Sequence, residues 1–428
     1  MMNRRQFRQR LFQINLRGTH VALSFALALT LAVAVTPPAQ AQRYTVLYTF
    51  MGGTDGAFPA SVLIQDAAGN LYGTTGENAQ AGCTSNCGNV FKIDSSGNET
   101  TLHTFTGGDD GSAPSSGVVR DRAGNLYGTT MNGGKGAGSL GVVYKLDPAG
   151  KETILHYFPK NSKDGIAPDG VVLDSAGNLY GTTIEGPGSG CGYGCGVIFK
   201  LNKVGKETIT TRFNERGYWQ PGYLVRDAAG NEYGVTGVGG GDGCGGIGCG
   251  AVFKVDTAGK LTVLYAFQGG SDGISPNGNV VLDKAGNLYG VTWEGGNTSA
   301  CPPSGCGTVY KIDKTGKETV LHRFSLRDGF LPYGGLVLDS QSNLYGTTFA
   351  GGANCLPGGC GTVYKLDETG KETVLYSFSG GTDGEQPMAG LVRDGSGTLY
   401  GTTIDGGYTG GTGLCFPIGC GVVFKLTP

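Results

Sequence analysis

Twelve cysteines in this 428-residue sequence fall into six close pairs: Cys83/Cys87, Cys191/Cys195, Cys244/Cys249, Cys301/Cys306, Cys355/Cys360 and Cys415/Cys420. Thiolates can ligate metal, attack as nucleophiles or bond to one another. A structural zinc needs four ligands around one ion, and each of these segments offers two, with no histidine beside them. The pairs occur whole or not at all, since the corresponding stretch 133–141 has neither member. That pattern points to six local disulfides in an oxidising compartment. Loops this short lose little chain entropy when bridged, so each bond adds less than the usual ~2–4 kcal/mol and serves mainly to hold a glycine-rich loop in one shape.

Carboxylates recur as well. Asp-Gly-x-x-Pro appears six times, at Asp55, Asp110, Asp164, Asp272, Asp328 and Asp383. A ring of aspartates could hold cations, but sixfold recurrence better suits a turn in which each carboxylate takes its own backbone N–H groups. No carboxylate run has EF-hand spacing, and neither a metal site nor a cofactor is expected. Glu77, Glu185, Glu294 and Asp405 occupy matching places after a Leu-Tyr-Gly core or its variant. Two of them could form an acid/base pair of the glycosidase kind, the plainer reading being a solvated rim. His103, His156 and His322 share one repeat position that holds Tyr48, Tyr265 and Tyr376 elsewhere. A residue interchangeable with tyrosine reads as packing, so no catalytic set is assigned.

The departures from repetition are the candidate binding residues. Before Pro221 the chain reads Asn214-Glu215-Arg216-Gly217-Tyr218-Trp219-Gln220, with Arg216 in place of the usual aspartate and two adjacent aromatics. Aromatic faces stack on sugar rings or grip cations, and an arginine forks onto carboxylate. A hydrophobic plug is the alternative. The residue after each of these prolines also varies: Ala60, Ser115, Asp169, Gly222, Asn277, Tyr333 and Met388. Of these, Asp169, Asn277 and Tyr333 could shape an asymmetric pocket.

These residues are positioned by a repeat. The core tyrosines Tyr72, Tyr127, Tyr180, Tyr233, Tyr289, Tyr345 and Tyr400 are spaced 53 to 56 residues apart. In the sixth copy, 335–339 reads as strand a, 344–348 as b, 362–366 as c and 372–378 as d. The Asp-x-x-Gly joints between a and b and between c and d suit type I turns closed by a left-handed glycine. Four antiparallel strands per unit is a propeller blade. Tyr44-Thr45-Val46-Leu47-Tyr48-Thr49-Phe50 reads as a strand d, and the last copy stops after strand c. The first strand therefore completes the last blade and closes the ring. The expected fold is an all-β, seven-bladed β-propeller over 42–428. Its blades span 60–105, 115–158, 169–213, 222–267, 277–324, 333–378, and 388–428 with 44–50. In such a meander the b–c loops and d-to-a links share one face, and the a–b and c–d turns share the other.

The unit Asp-x-Ala-Gly-Asn-Leu-Tyr-Gly-Thr-Thr, then Gly-Gly, then Gly-Thr-Val-Tyr-Lys-Leu, resembles the GloVer (gloeo-verruco) tandem-repeat family over nearly all of 42–428. Blade 4 departs, with Glu232 where leucine is usual. The resemblance implies an exported or surface protein of bacteria. Members often carry a C-terminal sorting anchor, which is not expected here because the last copy runs to the end of the sequence. The resemblance carries no chemistry.

Arg4, Arg5, Arg8, Arg10 and Arg17 precede an apolar run, 21–35, and a small-x-small site at Ala39-Gln40-Ala41. That order is a secretory leader over 1–41, too short to span a membrane, and cleavage is expected before Gln42. Asn3-Arg4-Arg5-Gln6-Phe7 also has some twin-arginine character. The leader holds five of the 32 basic residues and none of the 34 acidic ones, so the mature chain is acidic and nothing basic remains to bind nucleic acid. The sequence reads as a secreted, monomeric binding propeller whose ligand is a glycan or a surface protein. Two alternatives are a hydrolase or lyase using carboxylates such as Glu185 and Glu294, and a structural envelope component.

Overall fold

A computed structural model describes residues 42–428 apart from 79–86, 115, 136–138, 160–162, 187–194, 214–220, 354–358, 409–414, 416 and 428, and apart from the side chain of Ser139. The expected leader, 1–41, lies outside the described residues. The chain forms seven four-stranded antiparallel sheets, the blades of a β-propeller. In blade 6 the strands are Val337–Leu338, Leu344–Thr348, Thr362–Leu366 and Glu372–Ser377. Strand a is shorter than its sequence predicts. The glycines before it lie against neighbouring blades instead of pairing with strand b. A Cβ on Gly334 would come 2.4 Å from the Ala389 carbonyl carbon, and one on Gly335 would come 1.8 Å from Asn279 Oδ1. In blades 3 and 5 the inner strand is longer, Ile166–Leu173 and Ile274–Leu282.

Ring closure follows the expectation. Arg43–Thr49 pairs antiparallel with Val422–Thr427, completing the sheet that contains Leu399–Thr403 and Val392–Arg393. Tyr44 stacks on Tyr376 of blade 6 (3.9 Å between centroids), and its hydroxyl donates to the Asp383 carbonyl at 2.5 Å.

The apolar core sits between blades. One cluster joins Tyr72, Val90 and Phe105 of blade 1 to Val118, Leu126, Val142, Tyr144 and Leu146 of blade 2. The Leu-Tyr-Gly core serves this packing in three ways. The leucine enters the inter-blade cluster. The tyrosine hydroxyl donates to the first aspartate of the a–b turn in all seven blades, as in Tyr72 to Asp66 (3.0 Å) and Tyr400 to Asp394 (3.1 Å). Burial alone would raise the Asp66 carboxyl, but hydrogen bonds from Asn70 and Tyr72 outweigh it and hold the group below its ordinary range. The glycine leaves room for a strand c ring, since a Cβ on Gly346 would meet Tyr364 Oη at 2.5 Å. We expect Gly346→Ala to destabilise the fold by about 1–3 kcal/mol through overpacking, read as a lower urea midpoint at unchanged slope. An unchanged midpoint would contradict this account of the glycine.

Candidate functional site

The links between blades build a polar contact at most junctions. Asp55 accepts from the Met51 and Gly53 amides at 2.8 and 3.1 Å, and Asp272 from the Gln268 amide at 2.8 Å. The strand d position shared by histidine and tyrosine supplies a further partner. Tyr48, Tyr265 and Tyr376 donate to Asp55, Asp272 and Asp383 (3.1, 3.0 and 2.8 Å), and His322 Nε2 lies 3.0 Å from Asp328 Oδ2. His322 therefore takes over the tyrosine's polar contact as well as its packing place, a role the sequence reading missed, whereas His103 Nε2 stands 3.9 Å from Asp110 and 3.6 Å from Glu152. Strand d of the next blade adds a glutamate. Burial, and then the Asp110 and Asp164 charges, push Glu152 and Glu207 up to about 8. Glu318 and Glu372 rise to about 7 for the same reasons, beside Asp272 and Asp328. Burial lowers His103 and His156. At the junction of blades 2 and 3, His156, Asp164 and Glu207 bring possible ligand atoms within 4.8 Å of one another. Recurrence of the same constellation with tyrosine in place of histidine accounts for it as a blade-to-blade contact. Between blades 3 and 4 its pattern is lost as a whole: Thr211, Arg216 and Leu261 stand at the three positions.

Blade 4 also departs from the repeat in the size of two residues on the loop face. The residue after the link proline and the residue after the strand b threonine line a common hollow there, and in blade 4 both are glycine, Gly222 and Gly237. Blades 3, 5, 6 and 7 hold Asp169/Ile184, Asn277/Trp293, Tyr333/Phe349 and Met388/Ile404. The missing side chains leave a cavity of about 150 Å³, walled by Asp169, Ile184, Pro221, Val235, Pro276 and Asn277. Nothing lies within 4 Å of where a Cβ on Gly237 would sit. In blade 1 Ala60 and Gly76 are also small, but the Phe58 carbonyl oxygen lies 3.4 Å from the corresponding point.

Around this hollow the groups are unlike. Burial pushes Asp169 up to about 6. Tyr223 stands where other blades have Ser61, Ser116, Gly170, Gly278, Gly334 and Ala389, and its ring rests against Gly170. Burial, then the nearby Asp169 and Tyr333, raise its phenol far above the ordinary range. One bulky residue in a column of small ones was the signal that could have marked Tyr223 from sequence. Trp293 meets Tyr333 edge-on at 5.1 Å and Phe349 at 5.8 Å, an aromatic patch across blades 5 and 6. The structure thus brings Asp169 and Asn277 together, with Tyr333 close to Tyr223 beside Asp169. Arg216, Tyr218 and Trp219 lie outside the described residues, immediately before Pro221 of the cavity wall. A carboxyl, an amide and aromatic faces can hydrogen-bond hydroxyls and stack on a ring.

The sequence pattern of the Gloeobacter/Verrucomicrobia repeat matches residues 33–193, 78–301 and 189–416. The chain belongs to that repeat family. No curated protein matches it in sequence. Among solved structures, oligogalacturonate lyase from Vibrio parahaemolyticus superposes with a TM-score of 0.53 at 11% identity, covering 90% of this chain and 93% of that one. A protein of B. thetaiotaomicron, assigned as the extracellular domain of a one-component system, gives 0.50 at 11% identity, covering 90% of this chain and 40% of the other. At these identities the likeness is one of fold.

In this Gloeobacter/Verrucomicrobia repeat protein the b–c loops carry the bonds Cys244–Cys249, Cys301–Cys306 and Cys415–Cys420. Cys87, Cys195 and Cys360 are also disulfide-bonded, while Cys83, Cys191 and Cys355 lie outside the described residues. Among the described residues no helix is long and apolar enough to cross a membrane. The acids past strand b pair their backbone with the link: Glu77 with Ala57, Glu185 with Ile166, Glu294 with Ile274 and Asp405 with Glu385. Only the last pair sets two acids opposite each other. Burial, then the Glu385 charge, push Asp405 up to about 6.

Proposed function

We propose that this chain is an exported carbohydrate-binding propeller that receives a sugar ring in the blade 4 hollow of its loop face. The observation that carries the reading is the hollow itself, formed where Gly222 and Gly237 replace side chains and walled by Asp169 and Asn277, with the Trp293–Tyr333 contact in the two blades that follow. A 150 Å³ recess is of the order of one sugar ring, and its polar groups are of the kind that meet hydroxyls. The disulfides and the leader pattern support export to an oxidising compartment.

The test is a glycan array probed with chain made in such a compartment. Gly237→Ile places the isoleucine of blades 3 and 7 in the hollow, where φ is unexceptional and space is open. It is expected to abolish selective binding while leaving the melting temperature unchanged. Trp219→Ala is the companion variant for the adjoining link. Binding that survives Gly237→Ile would remove the hollow from consideration. Absence of any glycan binding by folded, oxidised protein would turn attention to a surface protein as the ligand.

The Glu385/Asp405 pair favours a second reading, a glycan hydrolase or lyase, and a lyase is among the proteins that share the fold. Under that reading Asp405→Asn eliminates turnover of a bound glycan without loss of fold.

A further inference from the structure

The turn face reads from sequence as uniform, and in backbone it is. Its charge is not. Between blades 2 and 3 the turns enclose a cleft of about 650 Å³, within the range of small-molecule sites of ~300–1,000 Å³. Arg120, Arg122, Lys145 and Lys203 line it.

Three departures from the repeat meet here, all in the same direction of charge. Arg122 occupies a place held by Ala67, Ser175 and Ala228 in blades 1, 3 and 4. Lys203 stands where blades 1, 2 and 4 have Ser95, Pro148 and Thr257; blade 5 has Lys314 there, but beside Asp313. Asn202 replaces the aspartate that begins each other c–d turn: Asp94, Asp147, Asp256, Asp313 and Asp367. Its amide oxygen still accepts from the Val204 and Lys206 amides (3.1 and 2.9 Å), so the turn is kept and only the negative charge is gone. At the corresponding positions of blades 5 and 6, Lys284 is accompanied by Asp367 and Glu368.

Among the described residues none of the four cationic side chains has an ion-pair partner. Arg120 lies over the Tyr72 ring (5.7 Å to the centroid) and Lys145 over the Tyr127 ring (6.0 Å), which leaves Arg122 and Lys203 as the uncommitted charges. The two cleft aspartates are already engaged. Asp121 accepts from Ala123, Asn125 and Tyr127, and Asp174 from Ala176, Asn178 and Tyr180. One wall is apolar, with Leu173 at the place where Arg226 covers Tyr180 at the next junction (3.6 Å to the ring centroid). Tyr127 is accordingly less buried than Tyr180 and offers a ring edge inside a cationic cleft.

We propose that this cleft binds a short acidic oligosaccharide, its carboxylates held by Arg122, Lys203, Lys145 and Arg120 and a sugar ring set against Tyr127 and Leu173. Guanidinium and ammonium groups supply charge-assisted hydrogen bonds to carboxylate, and an aromatic–aliphatic wall suits a pyranose better than a bare phosphate. The site is separate from the loop-face hollow.

The experiment is calorimetric titration of the oxidised chain with trigalacturonate at low and moderate salt, with maltotriose and tripolyphosphate in parallel. Trigalacturonate is expected to bind, more weakly as salt rises, and maltotriose to bind at least about tenfold more weakly. Arg122→Ser with Lys203→Ser restores residue types found in other blades and is expected to weaken trigalacturonate at least about tenfold, with the melting temperature kept. Asn202→Asp is expected to weaken it further. Gly237→Ile, on the opposite face, is expected to leave it unchanged, which separates failure here from failure of the loop-face reading. Undetectable trigalacturonate binding, equal binding of maltotriose, or indifference to the double substitution would overturn the proposal. Tighter binding of tripolyphosphate would overturn the sugar assignment in favour of a phosphate site.

Discussion

A chain lacking residues 43–49 will not yield a folded monomer. The missing segment is the outer strand of blade 7, and its removal leaves Val422–Thr427 as an open edge whose Val422, Val423, Phe424 and Leu426 side chains belong to the core. It also removes Tyr44, Val46, Leu47 and Tyr48 from the clusters on both sides of that blade. At about 1.5–3 kcal/mol for each large side chain withdrawn from packing, the loss is on the order of 5–10 kcal/mol. That equals the whole stability of an ordinary domain. The exposed edge is moreover a template for pairing between chains. Circular dichroism and size-exclusion chromatography of the shortened protein should show unfolded or aggregated material. A synthetic peptide of residues 42–51 should restore the monomer in trans. A shortened chain that stays monomeric and melts near the parent would mean that blade 7 does not hold the ring shut.

Raising the pH will weaken the ring, and by more than an acidic protein of ordinary surface carboxylates would show. Glu152 and Glu207 titrate near 8, and Glu318 and Glu372 near 7, against an ordinary value of 4.5. A carboxyl whose folded pKa is raised keeps its proton in the folded state and releases it in the unfolded one. Stability is therefore greatest at low pH with respect to these groups, and it falls from about pH 4.5 until the folded pKa is passed. The neighbours of each reinforce or moderate the shift: Asp110 at Glu152, Asp164 and Arg212 at Glu207, Asp272 and Arg323 at Glu318, and Asp328 and His322 at Glu372. His103 and His156, lowered by burial from 6.5, add an opposite slope on the acid side. Discounted for partial solvent access, the four glutamates contribute on the order of 1 kcal/mol each. Together that is roughly 5 °C of melting temperature between pH 5 and pH 9 for a chain of this size. Changing all four to glutamine should flatten the profile and raise the melting temperature at pH 9. A profile with the same slope in the quadruple variant would dismiss the junction glutamates as its source.

The number of blades, the strand order and the closure by Tyr44–Phe50 were legible because each repeats or completes a local pattern. The length of strand a was not. Val337 pairs where Gly335 does not, because Gly335 is pressed against Asn279 of another blade, a contact 56 residues distant that no local window contains. Asp169, Asn277 and Tyr333 could be picked out as irregular, yet what makes the hollow is the absence of side chains at Gly222 and Gly237, and absence leaves a faint trace in a chain with 82 glycines. The polar role of His322 was hidden for another reason. Interchange with tyrosine indicates shape, whereas the shared partner, Asp328, belongs to a link that curves back to meet it.

The blade 4 hollow is made by subtraction, and subtraction can be repeated. By sequence every blade has the same two addresses, one after the link proline and one after the strand b threonine. Emptying Met388 and Ile404, for instance, would sculpt a second recess at blade 7 without disturbing the turns, the clasped loops or the ring closure beneath it. The scaffold is in that sense a seven-socket plate on which one socket has been drilled, and new specificities could be installed around its rim one blade at a time.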